Sequence, residues 1–417
     1  METNAKLRYH SKGISGLASL SCSHLNRYNQ NRIKCGGCDG VKWMLRRVVV
    51  TNSTVEYVVR FRLPLLQALR DAGYQLTVIA PSDPYVTDLN VLGFSHRPLR
   101  LQGASTGPVT ELMALRDLDN AYRQILPALA LHFTPKVDIY GGLVARRLGI
   151  PFISNLSGMG TAITRGGWLS ALVNWLLRQS QRKAAHLFVQ NGDDHDHVLR
   201  GNIAPPERVS VLPGSGVDLN AFPFSPLPAR APTGNAVHFA MIARLVAEKG
   251  VNEFMEAAKA VRAGNPDARF SIAGAPPTGH NSAIPYQALE AWSSAPNMEW
   301  LGKLEAVETL IRDADCVVLP SYREGTPHVL LEAASMGRPL IAADTIGTRE
   351  PVIDGQTGLL CAPRHTHDLA ETMRRMIALG PRHRADMGRA GRQMMERKYD
   401  VRFVVDAYMD RIQRIFR

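Results

Sequence analysis

Two successive series of short apolar runs, separated by helical segments, restrict the fold of this chain more than any other feature. From residue 46 to about 222, runs such as RRVVVT, QLTVIAP, PFISN and HLFVQ alternate with helical patterns. A second series begins at AVHFAMIA and continues through RFSIAG, DCVVLP and PLIAAD. Strands that alternate with helices are typical of parallel sheets covered by helices. We therefore predict an α/β chain of two doubly wound, Rossmann-like domains that face a cleft.

The segments outside these two series mark the domain boundaries. Residues 1–43 are polar and basic without a sustained period, which predicts a disordered leader, and Met44 is an alternative start of the protein. The last segment has one apolar face and is expected to pack back on the first domain. The predicted units are the leader, a first domain over 44–222, a proline-rich linker over 223–235, a second domain over 236–397 and the terminal helix over 398–417.

The charge and hydropathy of the chain indicate its partners. Its 417 residues carry a net charge of +12, so anionic partners are expected: phosphates, acidic lipid headgroups or nucleic acid. No recognition helix, zinc finger or aromatic RNA-binding pattern occurs, which argues against nucleic acid. No apolar run approaches the ~20 residues that span a bilayer, and the first residues lack a secretory signal. We therefore expect a soluble, intracellular protein.

The five cysteines do not form a dense disulfide framework. Cys316 lies in one apolar run and Cys361 just after another, as reduced cytosolic cysteines often do. The leader holds a CxxC pair, but a second CxxC or an HxxxH is missing, so disorder is favoured over a zinc site. Its possible zinc ligands are Cys22, His24, Cys35 and Cys38.

Two motifs of the second series place cations beside carboxylates. Arg244 and Lys249 follow the strand AVHFAMIA, and Glu324 and Glu332 lie eight positions apart in REGTPHVLLEA. In open α/β sheets ligands bind at the carboxyl ends of the strands, so these side chains are expected at the cleft. Such a set suits a nucleotide diphosphate sugar. Taken alone, the cations are also typical of a solvated turn, and Glu324 of a charge at a helix N-terminus.

The motifs resemble those of glycosyltransferase family 4, retaining enzymes of the GT-B fold, over about residues 46–400. The matching elements are ARLVAEKG, the E-x7-E of Glu324 and Glu332, EAASMGRPLIAAD, IGTREPVIDGQTGLL and VLPGSGVDLNAF. The segments VVVTNSTVEYVVRFRLPLLQALRDAG and HFTPKVDIYGGLVARRLGIPFISNLSGMGT are similar to one subgroup. Members of that subgroup add N-acetylhexosamines or related sugars to undecaprenyl-diphosphate-linked saccharides.

The resemblance implies roles for the second-domain residues. Arg244 and Lys249 would stabilise the negative charge that develops on the donor diphosphate, a contribution typically worth about 3–4 kcal/mol of the barrier. Glu324 would bind hydroxyls of the donor sugar, and Glu332 those of the ribose. The backbone N–H groups after Glu324 would meet the diphosphate, and the base would lie near residues 302–304. The further substrate-binding candidates are therefore Gly325, Thr326, Pro327 and Leu304.

The first domain departs from the family pattern. Where many members have a glycine pair after the first strand, this chain has Asn52 and Ser53, which are candidates for acceptor or phosphate contact. The family places a histidine near the donor sugar, and the candidate is His132 in LHFTPK, or one of the two residues after it. Lys136 in the same stretch is a candidate for the acceptor diphosphate. His132 is equally typical of a structural hydrogen-bonding residue.

No resident cofactor is expected, because the nucleotide sugar, a UDP derivative, is a co-substrate. No metal is expected either. The DxD motif that binds a metal in many other glycosyltransferases occurs only at 117–119, inside a helical pattern, and at 194–196, in GDDHDH. The second triplet starts a helix, where aspartates are favoured by capping and by the helix dipole. Retention needs no enzymic nucleophile in the family, since the donor diphosphate takes the acceptor proton.

One helix is typical of a membrane interface, although a core helix has similar spacing. In GGWLSALVNWLLRQSQRK, basic residues follow an apolar face. The apolar face consists of Trp168, Leu172, Trp175 and Leu176. The basic residues that follow it are Arg178, Arg182 and Lys183.

The sequence therefore predicts a metal-independent retaining glycosyltransferase at the inner face of the cytoplasmic membrane. It would transfer an N-acetylhexosamine to a lipid-diphosphate-linked saccharide of O-antigen, capsule or exopolysaccharide. The alternatives are another donor or a soluble acceptor, an epimerase whose usual carboxylates and histidines are not evident, and a non-catalytic nucleotide-sugar-binding scaffold.

Overall fold

The computed structural model describes residues 46–101, 107–159, 167–229 and 236–417. Within these residues the two series of strands form two separate parallel sheets with helices on both sides. The predicted leader, with its possible zinc ligands, lies outside the described residues, and so does the second half of the proline-rich linker.

The first sheet has seven described strands in the order β3-β2-β1-β4-β5-β6-β7, all parallel. Its central strands are buried at every position because helices cover both faces. The third strand, SHRP, was not predicted, because it lies at the edge and is half-buried or exposed without an apolar run. The strands are β1 (Arg46–Thr51), β2 (Tyr74–Ala80), β3 (Ser95–Pro98), β4 (Leu129–Phe133), β5 (Phe152–Leu156), β6 (His186–Val189) and β7 (Val209–Val211).

The helix that follows the first strand is divided, whereas the sequence pattern predicts a continuous one. Thr54 caps its first part through a hydrogen bond from the Tyr57 N–H. Arg62 leaves the helical conformation before Pro64, which has no N–H to continue the ladder. The first-domain helices are α1 (Val55–Phe61), α2 (Leu63–Asp71), α3 (Val86–Val91), α4 (Pro108–Ile125), α5 (Pro135–Leu148), α6 (Gly167–Gln181) and α7 (Gly192–Arg200).

The second sheet has six described strands in the order β10-β9-β8-β11-β12-β13, again all parallel. One apolar core links its strands to the helices on both faces. The strands are β8 (His238–Ile242), β9 (Arg269–Ala273), β10 (Met298–Trp300), β11 (Cys316–Leu319), β12 (Leu340–Ala343) and β13 (Gly358–Cys361). The helices are α8 (Val251–Gly264), α9 (Tyr286–Ser293), α10 (Glu308–Asp313), α11 (His328–Ser335), α12 (Thr366–Ala378) and α13 (Gly380–Met394).

The terminal helix, α14 (Val401–Phe416), returns from the second domain to the first. Its Tyr408 is fully buried, with the ring centroid 4.7 Å from that of Phe188. The Tyr408 hydroxyl accepts a hydrogen bond from the Asn155 side-chain amide at 3.0 Å. At the start of the helix, a side chain at Gly216 would overlap Val401. The chain therefore returns to the first domain beside the segment that leaves it, where the Val401 N–H donates to the Val217 carbonyl at 3.0 Å.

No helix in the described ranges has both the length and the apolarity that crossing a bilayer requires.

Candidate active site

The loop after β8 carries a predicted cation to the end of β11. Residues Ala247–Lys249 form one turn of 3-10 helix, which ends at Gly250 with φ at +73°. A side chain at Gly250 would overlap the carbonyl oxygen of Pro320, so only glycine allows the two loops to approach so closely. The Lys249 ammonium then forms an ion pair with Glu324. The structure thus brings together two residues that lie 75 positions apart in sequence.

Glu324 is held from three sides. Its Oε1 also accepts a hydrogen bond from the Ser321 hydroxyl at 2.7 Å. Its backbone N–H donates to the Ile346 carbonyl at 3.0 Å. Gly347 packs so tightly behind the loop that a side chain there would overlap the Glu324 carbonyl. The carboxylate is therefore presented by a preorganised loop rather than by a mobile one.

Arg244 lies at the start of the same loop but remains exposed. Within the described part of the chain its guanidinium forms no ion pair, whereas Lys249 is already paired. Among the described residues, the loop after β8 thus carries one cation without an ion pair and one that is paired, and their contact with an anionic ligand stays a prediction. An arginine in this position can also bind two phosphate oxygens at once.

Glu332 lies in the second turn of α11 and contacts His328, whose Nδ1 is 2.7 Å from its Oε1. The first domain completes this site. The Phe61 ring lies 4.6 Å from the His328 ring, centroid to centroid. Burial lowers the pKa of Arg60, but its hydrogen bond to Tyr85 and the charges of Tyr85, Glu56 and, least of all, Glu332 produce a net rise. The ribose-binding candidate is thus enclosed by residues of both domains.

The segment between the two glutamates lies against the first domain. The Gly325 carbonyl accepts a hydrogen bond from the Asn191 side chain at 3.0 Å. The Thr326 hydroxyl donates to the Gln190 carbonyl at 3.0 Å. Pro327 is the N-cap of α11 and directs that helix toward the site. The predicted diphosphate loop is therefore also a contact surface between the two domains.

Two ion pairs join the domains on either side of this segment. Arg323 pairs with the fully buried Asp194 of α7. Burial raises the pKa of Asp194 and outweighs the opposite effect of Arg323. On the other side, Lys303 lies 3.0 Å from Glu56 of α1. Leu304, the base-binding candidate, follows Lys303 and is half-buried against the second-domain core.

His132 is the predicted site residue whose position differs most from the expectation. It is 0% exposed inside the first domain and does not face the cleft. Its Nε2 lies 2.9 Å from the Tyr122 hydroxyl, and its Nδ1 lies 3.4 Å from the Ser154 hydroxyl. On the other side, a side chain at Gly141 would overlap the ring. In this arrangement His132 acts as a structural hydrogen-bonding residue and has no open path to a donor sugar.

Burial lowers the pKa of His132 to about 3 from a usual 6.5. Between these values the unfolded chain binds a proton that the folded chain does not, so stability is full above about pH 6.5 and falls toward pH 3. We expect His132 alone to make the protein about 2 kcal/mol less stable at pH 5 than at pH 7.5. Urea unfolding at both pH values measures this difference.

The control for this prediction replaces histidines one at a time. In His132→Gln the difference in unfolding free energy between the two pH values should shrink. In His367→Gln it should not change, because His367 lies on the surface of α12 with a 79% exposed side chain. An NMR titration of His132 with a midpoint near pH 6.5 would contradict the prediction.

The other first-domain candidates lie at the carboxyl ends of β1 and β4. Asn52 is fully buried, and its Oδ1 accepts a hydrogen bond from the Ser53 N–H at 2.6 Å. Ser53 is half-buried, so this loop offers the cleft fewer donors than the sequence suggests. Lys136, in the first turn of α5, lies 2.8 Å from Glu111. It remains a candidate for an anionic acceptor, with Glu111 as its partner in the free protein.

Sequence reasoning missed the first-domain residues that lie near His328 and Glu332. Arg60 and Phe61 lie in VVVTNSTVEYVVRFRLPLLQALRDAG, whose similarity to the subgroup assigns no role to either residue. His328 lies inside the E-x7-E motif but was not singled out. The sequence does contain a signal for these two residues, because a cation and an aromatic residue end α1, the helix that follows β1. Their proximity to Glu332 depends on domain packing, which sequence spacing does not encode.

Comparisons with known proteins agree with this architecture. The family model "Glycosyl transferase 4-like domain" matches residues 58–214, and "Glycosyl transferases group 1" matches residues 230–394. The fold of HepE from Anabaena, solved in complex with UDP and glucose, matches with a TM-score of 0.70 at 15% identity. That match covers 88% of this chain and 99% of the HepE chain.

Two relatives have names that specify a reaction. One is the N,N'-diacetylbacillosaminyl-diphospho-undecaprenol alpha-1,3-N-acetylgalactosaminyltransferase of Campylobacter jejuni, 25% identical over 330 residues, or 75% of this chain and 85% of the relative. Another is the UDP-Gal:alpha-D-GlcNAc-diphosphoundecaprenol alpha-1,3-galactosyltransferase of Escherichia coli, 27% identical over 223 residues, or 51% of this chain and 56% of the relative. With both family models matched on the corresponding domains, the chain belongs to glycosyltransferase family 4 and is a glycosyltransferase of the GT-B fold.

Proposed function

We propose that this glycosyltransferase moves an N-acetylhexosamine from its UDP form to a lipid-diphosphate-linked saccharide, with retention of the anomeric configuration. The observation that carries the proposal is the paired Lys249 and Glu324 at the contact between the two domains. The Campylobacter jejuni relative, whose name specifies an N-acetylgalactosamine and an undecaprenol-diphosphate acceptor, supports the choice of sugar and acceptor. Surface polysaccharides such as O-antigen or capsule are the corresponding products.

The proposed donor site uses residues at the carboxyl ends of β8 and β11. Arg244 and Lys249 bind the diphosphate, and their positive charge stabilises the leaving group as its bond to the sugar breaks. Glu324 accepts hydrogen bonds from hydroxyls of the donor sugar. Glu332, oriented by His328, binds the ribose hydroxyls. Lys249, Glu324 and Glu332 are largely removed from solvent, which makes their interactions with the donor stronger than they are in water.

In the proposed reaction the acceptor hydroxyl attacks the anomeric carbon from the face that the diphosphate leaves. The bond from the anomeric carbon to the phosphate oxygen breaks as the bond to the acceptor oxygen forms. The acceptor proton moves to the departing phosphate oxygen, so no enzymic base is needed. The cations that neutralise the diphosphate take the place of a divalent metal, and we therefore expect activity in the presence of EDTA.

We further propose that the first domain docks on an anionic membrane surface. In α6, Trp168 is 79% exposed, Trp175 is 54% exposed and Leu172 is 43% exposed. Leu176, predicted to belong to this apolar face, is instead half-buried against the first-domain core. Exposed apolar side chains also lie at the start of α4, on the other side of α5. Aromatic side chains of this kind favour the boundary between lipid headgroups and acyl chains.

Replacing both Trp168 and Trp175 with serine should weaken binding to anionic vesicles by about tenfold or more, because two large apolar side chains no longer enter the interface. Vesicle sedimentation measures the bound fraction. The control is Tyr286→Ser, since Tyr286 is 55% exposed on the second domain. Equal binding of the double variant and the wild type would reject this docking face.

The transfer reaction is tested with a panel of radiolabelled nucleotide sugars, membranes and EDTA. We expect butanol-extractable label from one donor, and the UDP-N-acetylhexosamines are the leading candidates for that donor. Label in a water-soluble product instead would replace the lipid-linked acceptor with a soluble one. Nucleotide binding without transfer from any donor would reject the catalytic proposal in favour of a binding role.

A further inference from the structure

A cationic cavity lies at the amino-terminal ends of β5, β6 and β7, which is the sheet edge opposite the candidate active site. It has a volume of about 570 Å³. We call it the basal cavity. A strand of five residues spans about 16 Å, so the basal cavity and the cleft lie on opposite edges of the first domain. The basal cavity is lined by five cations from four separate parts of the fold: Arg146, Lys183, Arg208, Arg411 and Arg414.

The cations of the basal cavity are not neutralised by its walls. No acidic side chain lines it among the described residues. Arg146 donates to the Gln179 carbonyl and Arg208 to the Ala184 carbonyl at 3.3 Å, which orients both guanidinium groups without cancelling their charge. Arg414 alone has a carboxylate partner among the described residues, Asp410 at 3.1 Å on the exposed face of α14.

The positive field reaches into the domain. His186, at the start of β6, is buried and donates to or accepts from the Ser210 hydroxyl at 2.7 Å. Burial lowers its pKa to about 4, and the charges of Arg411 and Arg414 act in the same direction, against a smaller opposite effect of Asp410. Like charges that line one cavity repel one another, and an anion between them removes that repulsion.

We propose that the basal cavity binds a phosphate-bearing anion. Arginine guanidinium groups bind phosphate oxygens in pairs, and several of them around one concave surface favour a group with more than one negative charge. The volume suits a diphosphate or a phospholipid headgroup and lies within the usual range for ligand sites. A soluble phosphate and a lipid headgroup share this chemistry. This site is independent of the donor site, because it uses none of the cleft residues.

The test uses inorganic pyrophosphate in isothermal titration calorimetry on the full chain. The double variant Arg411→Glu and Arg414→Glu should lose affinity by roughly tenfold or more, since charge-assisted hydrogen bonds are removed and repulsion is introduced. Lys183→Glu is a second variant on a different element, which excludes an effect through packing of α14. A matched charge-reversal control is Arg116→Glu with Arg382→Glu, because both arginines are exposed and lie on other helices.

Vesicles distinguish the two sources of phosphate. The double variant Arg411→Glu and Arg414→Glu and its surface control are tested for sedimentation with vesicles that contain phosphatidylglycerol and with vesicles of phosphatidylcholine alone. Lys183→Glu is used only in the calorimetry, because Lys183 also follows the apolar face of α6. If pyrophosphate binding depends on the basal cations, the ligand is a soluble phosphate. If only the binding of phosphatidylglycerol vesicles depends on them, the ligand is a lipid headgroup. Either result supports the site.

Lys249→Ala is included so that pyrophosphate bound in the cleft is counted separately. The expected result is that this variant retains the basal site. If the basal variants bind both probes as the wild type does, or if the surface control loses as much affinity as they do, the proposal is overturned.

Discussion

Replacing Lys249 with alanine should lower kcat for sugar transfer by about 10²- to 10³-fold, because a fixed charge near the leaving diphosphate is lost. The ammonium is only partly exposed and already lies against Glu324. Its loss also leaves a nearly buried carboxylate beside a dianionic donor, which adds repulsion. Initial rates at saturating donor, with the active donor from the panel, measure the effect.

Two further substitutions separate this charge effect from a general one. Lys249→Arg keeps the charge and should recover part of the rate, although the guanidinium does not fit the contact with Glu324 as the ammonium does. Lys259→Ala should leave kcat unchanged, because Lys259 is half-exposed on α8 and pairs with Glu256 there. A kcat for Lys249→Ala within about threefold of wild type would show that this cation does not act on the transition state.

The substitution Glu324→Gln should lower kcat by about 10²-fold while the fold is retained. Glutamine has the same shape and can still accept the Ser321 hydrogen bond. It removes the negative charge that pairs with Lys249, and it weakens the proposed acceptor of hydrogen bonds from the donor-sugar hydroxyls. The melting temperature, measured together with kcat, distinguishes a chemical effect from a loss of structure.

A double-mutant cycle tests whether Glu324 and Lys249 act as one unit. Residues in direct contact are coupled, so the double variant should lose much less than the product of the two single losses. Glu299→Gln is the matched control, because Glu299 lies exposed on β10. Fully multiplicative losses would contradict the view that the ion pair acts as a unit.

Much of the fold follows from local patterns. The buried strands of both sheets coincide with apolar runs, because a strand covered on both faces has no polar side to present. The helix that begins at GDDHDH was predicted from its aspartates, and Asn191 does cap it through the Asp194 N–H at 2.8 Å. The edge strand SHRP was missed for the opposite reason, since an exposed edge does not require apolar residues.

The candidate site was predictable where it depends on one domain. Lys249 and Glu324 each follow a strand of one parallel sheet, and neighbouring strands end at the same edge, so their contact follows from topology. His132 shows where this reasoning stops. It also follows an apolar run, but it lies within β4, where every position is buried, and its ring contacts Tyr122. Helices cover both faces of this strand, so only residues beyond its carboxyl end can reach the cleft, and one sequence does not establish where the strand ends.

The sequence by itself determined the two parallel sheets, the loops that carry Arg244, Lys249 and Glu324, and the basic character of the chain. Periodicity and the turn residues encode these features locally. Only the tertiary structure decided which surfaces meet. It placed Phe61 against His328 and Arg323 against Asp194, and it gathered the basal cations from four parts of the chain. Such contacts join residues far apart in sequence, and they depend on packing and domain orientation that no local pattern specifies.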